Sequence, residues 1–160
     1  MYTFSDLTST IITKEELDEF ISELDVFIDS LYISKETVEQ KFNTHISFDK
    51  RERLLSLCKG ARIDLNNISG LKDFLVTLKQ QLKELPILEL TIAFHPHRDF
   101  LSKVSLWCFQ KMEKNVILSV SLERAIIGGT MISFAGIYRD FSMQKLVQDR
   151  IKEGKIFPRL

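Results

Sequence analysis

Four groups of residues in this chain are of types that could do chemistry: a histidine pair, two cysteines, scattered serines and two adjacent glycines. His95 and His97 flank Pro96. An H-x-H pair can ligate zinc, but a zinc site needs three or four ligands. The third histidine, His45, falls in a distant helical stretch, and Cys108 is patterned toward a helix interior. The reading is a surface loop, with no metal expected. For nucleophilic catalysis there is no Gly-x-Ser-x-Gly elbow, and no serine has a placed histidine. Gly128-Gly129 lacks the Gly-x-x-x-x-Gly-Lys-Ser/Thr context and the helix that a phosphate cradle requires. Cys58 and Cys108 stand as apolar spacers, so two buried free thiols are expected, as suits a reducing cytoplasm. No cofactor and no catalytic set are expected.

The elements that hold these residues centre on Leu122–Leu146. Ile132 and Phe134 share one strand face, opposite Met131 and Ser133. Ala135-Gly136 supplies a tight turn, since glycine reaches positive φ at little cost. Ile137–Phe141 runs back as a second strand. Asp140 precedes a final helix, where its carboxylate can accept backbone hydrogens, and Ser142 sits at its N-cap. The glycine pair marks a bend or a close backbone approach. Gly128, Gly129, Asp140 and Ser142 are thus read as a structural motif.

Composition excludes several classes. A chain of 160 residues with 44% hydrophobic and 28% charged residues fits one globular domain or two small ones. No apolar run is long enough to span a membrane. The opening MYTFSDLTSTIIT has neither the basic region nor the apolar core of a secretory signal. Net charge is zero but unevenly placed. Residues 1–86 carry 11 Lys+Arg against 15 Asp+Glu, and residues 87–160 carry 11 against 7. No nucleic acid is expected for a balanced chain, and the two parts are expected to have different partners.

Along the chain, residues 1–12 read as an extended arm or frayed helix. Thr13 and Glu16 have capping-box spacing. Leu17, Phe20, Ile21, Leu24, Phe27, Ile28 and Leu31 then form one apolar stripe, and acids fill the other face. Those near Asp29 oppose the helix dipole. Ser34 is placed as the cap of a second helix with Val38, Phe42 and Ile46 inward. Ser47 or Asp49 starts a third, which Gly60 terminates. A fourth carries Leu71, Phe74, Leu75, Leu78, Leu82 and Leu85 before Pro86. The fold expected is an N-terminal all-α bundle of about four helices over residues 1–86, then a small α+β domain over 87–160. In the second domain, strand ILELTIAF leads through the histidine loop to an amphipathic helix with Phe100, Leu101, Val104, Trp107, Cys108 and Met112. Trp107 and most phenylalanines are assigned to the core. A strand over 115–122, the hairpin and the last helix follow, with Gly154 as its end and KIFPRL as a tail.

The stretch LERAIIGG, a strand, a turn, and Asp140-Phe141-Ser142 before a helix containing Leu146 resembles the C-terminal signature of the F-type ATP synthase delta subunit family. The mitochondrial counterpart is the oligomycin-sensitivity-conferring protein. Gly128, Gly129, Asp140 and Ser142 fall on the family's positions, and Ile126 and Ile127 on its apolar pair. Glu123-Arg124-Ala125 replaces the usual Asp-Pro-Ser, Phe141 replaces a glycine, and the helical part is shorter than the usual six helices. The resemblance implies a non-enzymatic subunit at the top of the peripheral stalk. Its helical domain would grip the N-terminal helix of an alpha subunit, and its C-terminal domain would bind the ends of the b-subunit helices. It would meet the cytoplasmic face of the cell membrane only through other subunits and would not homo-oligomerise. Phe20, Leu24 and Phe27 are the residues assigned to the alpha groove, with Phe20→Asp expected to weaken binding in a folded domain. Arg150 and Lys152 are assigned to b-subunit binding. The alternative is a small cytosolic adaptor without ATPase partners, and a more distant one is an enzyme with a His95/His97 metal site.

Overall fold

The computed structural model describes residues 3–33, 36–126 and 128–152. Among them are seven helices and a four-stranded mixed sheet. The order is α1 (Phe4–Thr8), α2 (Lys14–Ser30), α3 (Val38–His45), α4 (Phe48–Gly60), α5 (Ile68–Lys83), β1 (Ile87–Ile92), α6 (Arg98–Met112), β2 (Ile117–Leu122), β3 (Thr130–Phe134), β4 (Ile137–Asp140) and α7 (Met143–Lys152). Residues 1–12, read as an extended arm or a frayed helix, hold the short capped helix α1 and a buried segment after it, residues 1–2 lying outside the described ones. Thr3 and Asp6 form a capping box on α1, and Leu7, Ile11 and Ile12 are buried. Helix periodicity cannot announce itself in five residues, but the Thr-x-x-Asp spacing could have.

Local chemistry sets the helix starts. Thr13 and Glu16 cap α2 reciprocally, and Thr37 and Gln40 do the same for α3. Ser34, placed earlier as that cap, lies outside the described residues. Ser47 stands at the N-cap of α4 without capping it through its own side chain. Glu23 of α2 accepts from both its N–H (3.3 Å) and its hydroxyl (3.0 Å), which sets a carboxylate at the positive end of α4. The opposite problem arises at the far end of α2, whose last turn has no basic residue. Lys41 of α3 solves it. Its buried ammonium donates to the carbonyls of Ser30 (2.8 Å) and Leu31 (3.1 Å). The α4 helix runs through Gly60, and the left-handed residue beyond it is Arg62 at φ 56°.

The apolar stripes of α2, α3, α4 and α5 meet in one core with Leu7 and Ile11. The sheet has order β2-β1-β3-β4, with β1 parallel to β2 and antiparallel to β3. Register aligns Leu88 with Leu118 and Phe134, and Leu90 with Val120 and Ile132. Against this face α6 packs Leu101, Val104, Cys108 and Met112. The other face carries Glu89, Thr91, Ser119, Ser121 and Ser133, with Thr91 and Ser121 hydroxyls 2.9 Å apart. Strand β2 belongs to both layers. Ile117 is buried in the helical core and Leu118, its neighbour on the opposite face, in the sheet core. Thr13 forms a parallel bridge to Leu118, so the start of α2 covers the outer edge of β2.

The side chains assigned to the core do not all arrive there. Trp107 is 55% exposed, and Phe48, Phe94, Phe100, Phe109 and Phe141 are also exposed. On α6 apolar residues extend beyond the face that packs on the sheet. The positions 101, 104, 108 and 112 face inward, and Phe100 and Trp107 fall beside that line.

Lys41→Met keeps the buried stem and removes the donors to the α2 carbonyls. It is expected to lower stability by about 1.5–3 kcal/mol, the scale of a hydrogen bond to a charged group. Urea unfolding followed by circular dichroism checks this.

Candidate functional site

The glycine pair and the Asp-x-Ser step meet at one corner. The turn of the hairpin has both central residues in the left-handed region, Ala135 at φ 50° and Gly136 at φ 78°. That is the type I′ geometry that suits the twist of the flanking strands. The hairpin therefore returns the chain directly beside its own beginning. Phe141 N–H donates to Thr130 O and Met143 N–H to Gly128 O, each at 2.8 Å. This close crossing explains Gly129. Its φ is +89°, and a Cβ there would stand 2.3 Å from the Phe141 carbonyl oxygen and 2.9 Å from Ser142 Cα. At Gly128 a Cβ would meet only the flexible Met143 side chain, at 3.0 Å from Sδ. Ile127, the second residue of the apolar pair, lies outside the described residues. Ile126 is buried.

From the crossing the chain enters α7 through a chain of local bonds. Asp140 Oδ1 accepts from Ser142 N–H at 2.8 Å. Ser142 Oγ then accepts from Lys145 N–H at 3.3 Å, which caps the helix. Ser142 is buried although its side chain is polar, because its hydroxyl has this partner. The Asp140 carboxyl is held below its ordinary value, first by the Ser142 backbone N–H, then by the Ser142 hydroxyl, with a smaller contribution from Lys145. Both side chains are thus occupied in holding backbone.

What the corner presents is α7 itself, on which no side chain is buried. Met143, Leu146, Val147 and Ile151 follow helical spacing and are each about half exposed. Lys145, Arg150 and Lys152 supply cations beside that stripe, and Asp149 the one acid. Ile137, Tyr138 and Phe141 of the adjoining hairpin are also exposed. The arrangement suits recognition of an apolar, anionic surface.

The other assigned residues lie elsewhere. Phe20, Leu24 and Phe27 are 0% exposed, and the Phe27 ring stands 4.3 Å from that of Phe42. The stripe of α2 is consumed by α3 and α5, so these three residues line no open groove. A carboxylate at position 20 would enter the core, and Phe20→Asp cannot serve as a surface probe. His95 and His97 are exposed in the loop before α6, apart from His45 in α3. Among the described residues no three His, Cys, Asp or Glu side chains gather as a metal group would. Burial pushes the Cys58 thiol up to about 11 and raises that of Cys108. The exposed stripe on α7 was legible as periodicity, but periodicity alone does not tell a covered stripe from an open one.

Gly129→Ala is expected to cost about 3 kcal/mol, at the upper end for a residue forced into a rare backbone region, whereas Gly128→Ala costs well under half of that. Chemical denaturation of both variants measures the difference. For Asp140 the folded value is depressed, so its stabilisation is complete above the ordinary value of 3.8 and is lost as pH falls through the depressed value. Acid titration of Ser142 amide exchange is expected to show that loss in the native chain and not in Asp140→Asn. Compared with known proteins, the chain matches no family model and no curated protein.

Proposed function

We propose that the chain is a delta-type subunit of the peripheral stalk of an F-type ATP synthase, in a shortened form. In this reading residues 1–86 are a helical bundle domain and residues 87–160 a small α+β domain. The observation that carries the reading is the Gly128–Ser142 corner, which holds an amphipathic, basic and unburied terminal helix. A helix whose apolar face is left half exposed among the described residues suits a partner helix or groove elsewhere. The b-subunit ends would lie on α7 and the adjoining hairpin. The N-terminal helix of an alpha subunit would lie on the helical part, away from the buried stripe. The exposed acids of α2, among them Glu15, Asp18, Glu19 and Asp29, would favour a basic partner there and speed its association.

The role is mechanical. A stalk subunit joined to both partners holds the catalytic head against rotor torque, so that rotation drives ATP synthesis instead of turning the head. It needs no catalytic group of its own. It would act peripherally at the cytoplasmic face of the membrane, through other subunits. No helix among the described residues is long and apolar enough to cross a membrane.

A second reading, a small adaptor without ATPase partners, gains from the burial of Phe20, Leu24 and Phe27, which removes the groove expected on α2. Affinity purification of the chain from native membranes separates the two. Recovery of alpha, beta and b-type subunits supports the stalk, and recovery of another soluble partner alone supports the adaptor.

The variant Arg150→Glu/Lys152→Glu is expected to weaken binding of a b-type helix by about tenfold at low salt, and less at high salt, where exposed charges are screened. Leu146→Asp is expected to weaken it at all salt concentrations with an unchanged melting temperature, because the side chain is 59% exposed. Calorimetry with the isolated b-type helix reads both.

A further inference from the structure

The boundary between the helical core and the sheet core combines buried apolar side chains with a few hydrogen bonds. On its helical side, Leu7 and Ile11 are anchored in the helical core, and Arg53 of α4 donates to the Asp6 carbonyl. On its sheet side, Ile12 belongs to the sheet core with Leu88, Cys108, Val116 and Leu118. The segment Thr3–Thr13 therefore has a foot in each. Across the boundary run a few hydrogen bonds. Leu118 N–H donates to Ile12 O at 2.8 Å. Asn115 Nδ2 donates to Ser5 O at 3.0 Å and to Ser5 Oγ at 3.3 Å, and also to Thr8 Oγ1. Arg98 pairs with Glu16. One apolar peg, Ile117, enters the helical core.

Grooves open to solvent flank the same boundary. A groove of about 400 Å³ runs along it between α1 and α6, lined in part by Ser9, Ile12, Ser105, Phe109 and Asn115. A second, of about 250 Å³, lies at the chain's crossing point, against Phe4, Leu85, Pro86 and Asn115. The grooves open to solvent on either side of Asn115, so water competes for the hydrogen bonds that close this boundary. The covalent connection there is short, from the end of α5 at Lys83 to β1 at Ile87.

We propose that Thr3–Thr13 is a latch. It stays with the helical core and releases the sheet, which swings about Pro86, drawing Ile117 out of the helical core and uncovering the sheet core where Ile12 sat. The Asn115 and Leu118 bonds are its catch. Opening of this kind belongs to the partial openings that cost less than global unfolding. It would set the angle between the two faces the chain offers to partners, and it holds whatever those partners are.

The protein carries its own reporters, because Cys108 lies in the core that Ile12 closes and Cys58 in the helical core. Two variants of the full chain test the latch. Asn115→Ala removes bonds across the seam, and Ile12→Ser empties the sheet-side foot. Alkylation by N-ethylmaleimide, read residue by residue in a mass spectrometer, is expected to be roughly tenfold faster at Cys108 in Asn115→Ala, faster still in Ile12→Ser, and unchanged at Cys58. Amide exchange at Leu118 is expected to accelerate with Cys108, and exchange at Leu75 and Leu78 of α5 to stay as in the native chain. Equal acceleration at both cysteines would overturn the proposal, since the two cores would then open as one. So would an unchanged Cys108. Should Ile12→Ser fail to fold, Asn115→Ala alone decides.

Discussion

The two layers of this protein are joined by the alternation of one strand. Ile117 and Leu118 are neighbours in β2, both without exposure, and each lies in a different core. A strand turns successive side chains to opposite faces, so this pair cannot serve one layer without serving the other. A slip of one residue in the β1–β2 register would exchange them, setting Leu118 toward the helices and Ile117 toward α6. The register that pairs Leu88 with Leu118 is therefore also what docks the sheet on the helices. Ile12 and Thr13 reinforce it from the outer edge, where the chain of α2 begins.

Much of the architecture is legible in the residues because its determinants are local. The capping box at Thr13, the stripes of α2 and α5, the onset of strand at Ile87 and the hairpin around Ala135-Gly136 each depend on residues close in sequence. What escapes is what depends on a neighbour distant in sequence. Glu23 accepts from the N-terminus of α4, and Lys41 donates to the C-terminus of α2. Neither side chain has a local signature for that task. The fate of an apolar stripe is equally nonlocal. The stripes of α2 and α7 look alike as spacing, yet Phe20 and Phe27 are wholly enclosed and Leu146 and Ile151 stand in the open. Number and reach of the covering elements decide this, and among the described residues none buries a side chain of α7.

The corner at Gly128–Ser142 shows strain and satisfaction balanced over few residues. A left-handed backbone at Ala135 is costly for a residue with a Cβ. The return it permits yields the Thr130–Phe141 and Gly128–Met143 bonds and the capped start of α7. Gly129 must lack a side chain for those bonds to form. The motif residues therefore act on the direction in which a helix leaves the body. A partner would meet the consequence of the corner without touching its glycines.

The placement of Ile117 also bears on how the chain is made. The helical core has its first members at Leu7 and Ile11 and its last at Ile117, and Asn115 reaches back to Ser5 across 110 residues of sequence. Synthesis runs from the N-terminus, and a segment emerging early must wait for late partners. The helices through α5 can collect on the ribosome with one position of their core still open to water. That position closes when β2 emerges, and β2 is also the strand that pairs with β1 to begin the sheet. The emergence of β2 thus completes the helical half and begins the sheet in one event, and a ribosome paused before residue 117 would carry a helical domain with a gap where that side chain belongs.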